Sequence, residues 1–269
     1  MSESALLKER EGHLLILTLN RPEKKNAFNP EILCKLCDAY DEIDQDDDIR
    51  AAILTGAGGN FSSGADLDEL VTRSLKGEPA ANEFEQRCRD QPAIFMNGFL
   101  KDRYPTKPLI AAVEGACYAG GTEILQGIDI RIAGESAKIA ISEVKRGLFP
   151  MAGSTVRLRR QIAFTHAAEL LLVGEPLTAA KALEIGLIGH VVPDGTALEK
   201  AREIGQKICE NGPLAVKNIK RSIIETEFLP EAEAYKREMQ LGMEVMGSKD
   251  AQEGPRAFLE KRKPAYTGK

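Results

Sequence analysis

A mixed α/β architecture is what this 269-residue sequence predicts, and three observations predict it. Short apolar runs alternate with helical patterns through the first half of the chain. From about residue 155 the pattern is almost wholly helical. One device also occurs twice: an apolar strand ending at glycine, a small-residue turn, then a helix start, first in "IRAAILTG" to "FSSGADL" and again in "LIAAVEG" to "YAGGTEI".

Taken in order, "HLLILTL" (13–19) reads as a strand. After the turn-like "NRPEKKNAF", Asn29 as N-cap and Pro30 at the first helical position open a helix that runs to about Asp44. Ile32, Leu33, Leu36, Tyr40 and Ile43 line one face of that helix, so Cys34 and Cys37 are expected to pack in the core rather than to carry metal or redox chemistry. "IRAAILTG" (49–56) is a buried strand, and "AGGNFSSGADLDEL" runs from a glycine turn into a helix. Residues 73–105 fit a lid or pocket wall and a plain surface excursion equally well. "KPLIAAVEG" (107–115), "DIRIAGE" and "AKIAI" supply further strands. Helices follow, interrupted by a short strand in "LIGHVVP". Near the end Ala232, Tyr235, Met239, Met243 and Met246 recur at three- and four-residue intervals, a stripe that the core or another subunit must cover. A soft boundary near Pro193 divides the chain.

Composition excludes several classes. A net charge of −5 and a pI near 5.5 give no broad basic field, so neither nucleic acid nor an anionic membrane surface is an expected partner. No run reaches the roughly 18 to 20 apolar residues of a membrane span, and "MSESALLKEREG" is too charged for a secretory signal. A cytoplasmic location is therefore expected. Five cysteines, an odd number in a chain this long, make no disulfide framework.

Chemistry is found by elimination. The chain holds no G-x-S-x-G and no P-loop. "TGAGGNF" approaches the dinucleotide fingerprint, but Phe61 stands at its third glycine. His13, His166 and His190 lie away from the glycine turns, which disfavours a serine triad or a His-rich metal site. Two carboxylates adjoin apolar segments, Glu123 in "GGTEIL" and Glu143 in "IAISEVKRGL". Desolvation can split such a pair into an acid and a base. Read singly, Glu123 also suits a cap for its own helix and Glu143 an ion pair with Lys145 or Arg146. The glycine turns can aim unpaired N–H groups at a negative oxygen, or can merely permit tight connections.

Taken together, "NRPEKKNAF", "FSSGADLDEL", "KPLIAAVEGACYAGGTEI", "SEVKRGLFPMAGSTVRL", "GEPLTAAKALEIGLIGHVVP" and "AFLEKRKPAY" resemble the crotonase superfamily of enoyl-CoA hydratase/isomerase proteins, in order and over nearly the whole chain. The resemblance implies a crotonase-like spiral of β-β-α units over residues 1–193, carrying an acyl-CoA site. It implies a helical region over 194–269 that builds a homotrimer or a dimer of trimers. The family's oxyanion hole, made of two backbone N–H groups, matches Ala65 and Gly120. Its two hydratase glutamates match Glu123, taken as the base, and Glu143, taken as the acid. Lys24 or Lys25 and the main chain from Ser63 to Asp66 match positions beside the nucleotide and pantetheine. Phe258 and Lys261 match C-terminal residues that reach the adenine and 3′-phosphate bound by a neighbouring subunit. Where hydratases commonly read P-G-A-G-G-T, Met151 replaces the first glycine, keeping its N–H but adding a bulky side chain towards the acyl pocket.

Several reactions share this scaffold. Retention of both glutamates favours adding water across the 2,3 double bond of an enoyl-CoA over Δ3–Δ2 isomerisation. An acyl-CoA-binding protein with little catalysis is the alternative of another class. Coenzyme A would arrive as part of the substrate, so neither a separate cofactor nor a metal is expected.

Overall fold

The structure is a computed structural model that describes residues 4–73 and 76–269; Met1 to Glu3 of the charged N-terminus and Ser74 and Leu75 of the 73–105 segment lie outside the described residues. β1 (Leu6–Glu11) and β2 (Leu14–Leu19) pair antiparallel, and β2 then begins a parallel run through β3 (Ala51–Gly56), β4 (Leu109–Val113), β6 (Ile130–Gly134) and β9 (His190–Val192). A smaller sheet sets β5 (Ala116–Tyr118) parallel to β7 (Lys138–Ala140), with β8 (Leu177–Thr178) antiparallel on its edge. The turns beginning at β4 and β6 thus each contribute one strand to the large sheet, a short one to the small sheet, and a helical segment. The isolated parallel bridges Ser62–Cys117 and Phe28–Ala65 extend this second layer. The mixed α/β spiral is the expected one.

Both faces of the large sheet are buried, which is why its central strands are continuous apolar runs. On one face Leu15, Leu17, Ala52, Leu54, Ala111 and Val113 meet α1 (Pro30–Gln45). Asn29 accepts the Ile32 N–H at 3.0 Å as the N-cap. All five apolar residues named for this helix face are buried, and so are Cys34 and Cys37. The Cys34 thiol lies 3.6 Å from that of Cys88 in α2 (Glu83–Asp90). Burial pushes the Cys37 thiol up to about 11 and the Cys88 thiol up to about 12. Thiols held protonated in this way act as small core hydrophobes.

The other face, with Leu14, Ile16, Ile53, Ile110 and Ile132, is covered by α8 (Ala197–Cys209). That helix presents Ala197, Ala201, Gly205 and Cys209, four small residues at a spacing of four, so its backbone comes close to the strands. The layer packed on the sheet thus includes residues up to Cys209, and the outer helices begin with α9 (Pro213–Thr226). One residue pair ties α9 to the sheet. Lys220 Nζ sits 2.7 Å from an Asp129 carboxylate oxygen and donates to the Lys107 carbonyl at 2.9 Å. Asp129 also accepts the Leu109 N–H at 2.7 Å.

Beyond α9 come α10 (Glu231–Met246) and α11 (Lys249–Leu259). The C-terminal residues fold back here, with the Thr267 and Gly268 N–H groups on the Asp250 carboxylate. The core does not cover the predicted stripe: Tyr235, Met239, Met243 and Met246 are 60–70% exposed. With Ile219 and Ile223 of α9, the three methionines border an open apolar groove of about 510 Å³. β1 went unpredicted because "LLKERE" is an edge strand with four of its six side chains polar or charged, which hides the alternation.

Lys220→Ala leaves the partly exposed Asp129 carboxylate with one neutral donor. It is expected to lower the unfolding free energy by about 1–2 kcal/mol, read from the denaturant midpoint; an unchanged midpoint would show that the pair does not anchor α9.

Candidate active site

The segment "NRPEKKNAF" is built around two polar side chains. Asn26 is fully buried. Its Oδ1 accepts the Arg21 N–H at 2.9 Å, and its Nδ2 donates to the carbonyls of Ala57 at 2.8 Å and Asn60 at 2.6 Å. Every polar atom of that amide ties one loop to the next. Arg21 donates to the Ala27 carbonyl and lies 3.1 Å from Asp66 and 2.8 Å from Glu69. The clamp holds Lys25 and Asn26 in the left-handed region, at φ 48° and 55°. It also fixes Ser63, whose N–H and hydroxyl donate to the carbonyls of Lys25 and Lys24.

Immediately after Ser63, the two predicted amides come together. Flanking backbone bonds leave the Ala65 N–H between them, since Phe28 N–H donates to Gly64 and Asp66 N–H donates to Phe28, each at 2.8 Å. Ala119, at φ 51° and ψ −120°, turns the chain into α4 (Gly120–Leu125). Among the described residues neither the Ala65 nor the Gly120 N–H has a protein acceptor. The two are neighbours: a Cβ built on Gly64 would lie 3.3 Å from the Gly120 nitrogen, and one on Gly120 would lie 3.6 Å from the Ala65 nitrogen. Glycine is required at both places. Gly64 has φ +99°, and a side chain at Gly120 would strike the Phe99 ring at 2.8 Å.

Glu123 lies one helical turn beyond Gly120 and is 5% exposed. It does not cap its own helix. Its Oε1 accepts the Ser154 N–H at 3.3 Å, at the start of α5 (Ser154–Gln161). Burial and then the charge of Glu143 push its carboxyl up to about 7; hydrogen bonds from the Ser154 and Ala152 N–H groups and the Ser154 hydroxyl oppose the rise. Glu143 opens the 3₁₀ turn Glu143–Arg146 after β7. Burial raises its pKa too, against its own backbone N–H and Arg146. The ion pair with Lys145 does not form, because Lys145 pairs with Glu175. Among the described residues the buried Glu143 Oε2 has no hydrogen-bond partner.

One cavity of about 450 Å³ joins these groups. Ala65, Gly120, Glu123 and Glu143 line it, with Lys25, Ser63 and Met151. Met151 is 58% exposed and its carbonyl accepts from Lys101 Nζ at 2.8 Å. The 73–105 segment proves to be a pocket wall: α3 (Ala93–Gly98) supplies Phe95 and the residue after it supplies Phe99, stacked edge to face at 5.2 Å. Four predicted residues lie elsewhere. Asp66 is outside the cavity lining: its carboxylate holds Arg21, its N–H donates to Phe28, and its carbonyl accepts from Leu70. Lys24 is exposed outside the cavity, and Phe258 and Lys261 stand at the end of α11 on the outer surface. Phe95 and Phe99 belong to the apolar patch that gave the 73–105 segment its pocket-wall reading, whereas sequence reasoning did not single out Asn26. A lone amide in a polar turn carries no chemical signature on its own.

A β-β-α spiral whose repeated turns open on one cavity, with two desolvated carboxyls on its wall, defines an enzyme of the crotonase type. Residues 9–269 match the profile of the family described as Enoyl-CoA hydratase/isomerase, and the chain belongs to that family. It is 55% identical over 260 residues to "Enoyl-CoA hydratase EchA19" of Mycobacterium tuberculosis, covering 97% of this chain and 95% of that one. It is 32% identical to the 2,3-dehydroadipyl-CoA hydratase of Escherichia coli, over 99% of this chain and all of that one. Among solved structures, an enoyl-CoA hydratase from Mycobacterium tuberculosis H37Rv superposes with a TM-score of 0.88 at 40% identity, covering 99% of this chain and 100% of that one. One from Bacillus anthracis also superposes at 0.88, with 34% identity, 98% of this chain and 100% of that one.

The Glu123 carboxyl, ordinarily near 4.5, titrates near 7 in the folded chain. The folded state therefore favours the neutral form, a preference complete below about pH 4.5 and lost as pH rises through 7. Glu123→Gln is fixed neutral and keeps an acceptor for the Ser154 N–H. It is expected to be more stable than the parent at pH 8, by roughly 2 to 3 kcal/mol, and equal to it at pH 4. Thermal unfolding across that range checks this, and parallel curves for the two proteins would contradict it.

Proposed function

We propose that the protein is an enoyl-CoA hydratase, adding water across the 2,3 double bond of an enoyl-CoA thioester. One observation carries the reading: two unpartnered backbone N–H groups and two desolvated carboxyls face a single cavity of acyl-group size. The hydratase names of the relatives at 55% and 32% identity support it.

In this reading the thioester oxygen accepts from the Ala65 and Gly120 N–H groups. As the water oxygen bonds to C3, charge moves through C2 to that oxygen, where donors already in place stabilise it more in the transition state than in the ground state. Glu123 takes the proton from water, and Glu143, whose pKa burial raises, delivers a proton to C2 from its protonated form. The product is a 3-hydroxyacyl-CoA. Atoms balance with water alone, so the step calls for no cofactor or metal. The two carboxyls interact, so they titrate as a pair and the division of roles is a feature of the pair. Lys25 and Ser63 at the cavity edge suit the CoA moiety. Phe95, Phe99 and Met151 suit the acyl chain. Five unbonded thiols fit a reducing cytoplasm.

The assay is loss of conjugated enoyl-thioester absorbance with crotonyl-CoA and with longer and branched enoyl-CoAs. Glu123→Gln and Glu143→Gln are each expected to lower turnover by about 10²-fold or more. Turnover of none of these substrates by the parent, or turnover within a few-fold of the parent in both variants, would overturn the proposal.

The apolar groove between α9 and α10 supports assembly as a homotrimer or dimer of trimers, with Phe258 and Lys261 reaching the CoA of a neighbour. Sedimentation is expected to give a trimer or hexamer at micromolar concentration, and a monomer there would sink this part.

A further inference from the structure

Behind Glu123, away from the cavity, stand two buried polar side chains that the hydration chemistry does not use. Gln126 is 3% exposed and Ser154 is fully buried. Gln126 Nε2 donates to the Ser154 Oγ at 2.7 Å and to the Thr122 carbonyl at 3.0 Å. The Thr122 carbonyl can only accept, so the amide must turn its NH₂ towards it and towards Ser154. That orientation leaves the Gln126 Oε1 buried without a partner among the described residues, an arrangement that costs free energy and is kept only if the NH₂ is needed where it is. Because the Ser154 Oγ accepts from Gln126, its own proton is left to donate. The Glu123 carboxylate, which takes the Ser154 N–H at 3.3 Å, is beside that hydroxyl to receive it.

We propose that Gln126 and Ser154 are a positioning pair for the catalytic base: Gln126 fixes the direction of the Ser154 hydroxyl, and Ser154 holds the Glu123 carboxylate ionised and aimed into the cavity. The proposal rests on the reading of Glu123 as the base. Without such donors, burial and the neighbouring Glu143 would keep Glu123 protonated in the neutral range, and a protonated carboxyl cannot take a proton from water. The other charged groups around it do not replace this pair. Glu143 opposes ionisation. Arg146 and Lys25 line the cavity on the solvent side. Arg131 Nη2 of β6 is committed to the Gln126 carbonyl at 3.0 Å, and Arg157 Nη2 of α5 to the Leu100 carbonyl and the Tyr104 hydroxyl.

The test is the pH dependence of kcat/KM with crotonyl-CoA. Ser154→Ala is expected to move the acidic limb to higher pH by about one unit, giving about tenfold less activity at pH 6.5, with recovery by pH 9 and little change in KM. Gln126→Leu, which keeps the bulk but not the NH₂, is expected to shift the limb in the same direction. Ser154→Thr, which keeps the hydroxyl, should restore the parent profile. Gln126→Leu carries the test alone if Ser154→Ala does not fold. A limb that stays in place in both variants, or a loss that is the same at every pH, would overturn the pair. Glu123→Gln in the same assay separates the two levels: if it retains turnover, the base assignment itself falls. If it is inactive while the limb of Ser154→Ala does not move, only the positioning pair falls.

Discussion

Two backbone amides must be left without partners, side by side, at the wall of a cavity. An unpaired buried N–H costs about 1–3 kcal/mol, and a non-glycine residue in a strained region such as Ala119 costs a similar amount. A chain free to relax would turn these groups away. Here the surroundings over-determine them. The parallel bridges at Ala65 and Ser62 fix the first turn, and the Asn26 amide pins the loop before it to the loop after it. The second turn is held by Ala119 N–H on the Ala140 carbonyl and by the buried Thr122 hydroxyl on the carbonyls of Cys117 and Ala140. Phe99 packs directly over Gly120. The double layer of strands supplies this rigidity, since each turn of the spiral delivers its loop to the same edge.

The same geometry sets the electrostatics of the two carboxyls. Seating Glu123 on the first turn of a neighbouring helix gives it donors for its ionised form, while burial and Glu143 favour the neutral one. The balance falls near neutrality, where a carboxyl can exchange protons with water. A site of this kind is a local cost to stability. The apolar faces buried on both sides of the large sheet offset that cost, and they occupy parts of the molecule that do no chemistry. The outer helices are held to this body by the Lys220–Asp129 pair, and the tail by Arg50, which donates to the Tyr266 carbonyl; the apolar side of those helices is left facing outward.

Much was legible in the sequence because it was written in local patterns. The N-cap at Asn29, the buried strands, the apolar face of the first helix and the twice-used strand–glycine–helix device each follow from a few adjacent residues, and the ordered motifs identify the family. The family resemblance named Ala65 and Gly120, and elimination named Glu123 and Glu143; one cavity brings the four together. Local patterns could not show that the Asp66 carboxylate answers an arginine 45 residues away. The small-residue stripe of residues 197–209 likewise acquires meaning only against a sheet.

By itself the sequence determined most of the strand and helix segments, which two carboxyls adjoin apolar runs beside the glycine turns, and the family whose spiral they build, since each depends on side-chain type and spacing along the chain. Only the tertiary structure decided that two amides 55 residues apart would share one cavity, that Glu123 would serve another helix's N–H rather than its own, and that Gln126 and Ser154 would stand behind it. Hydrogen-bond partners, burial and charge–charge distances are set by which elements pack together, and packing is a property of the whole fold rather than of any stretch of it.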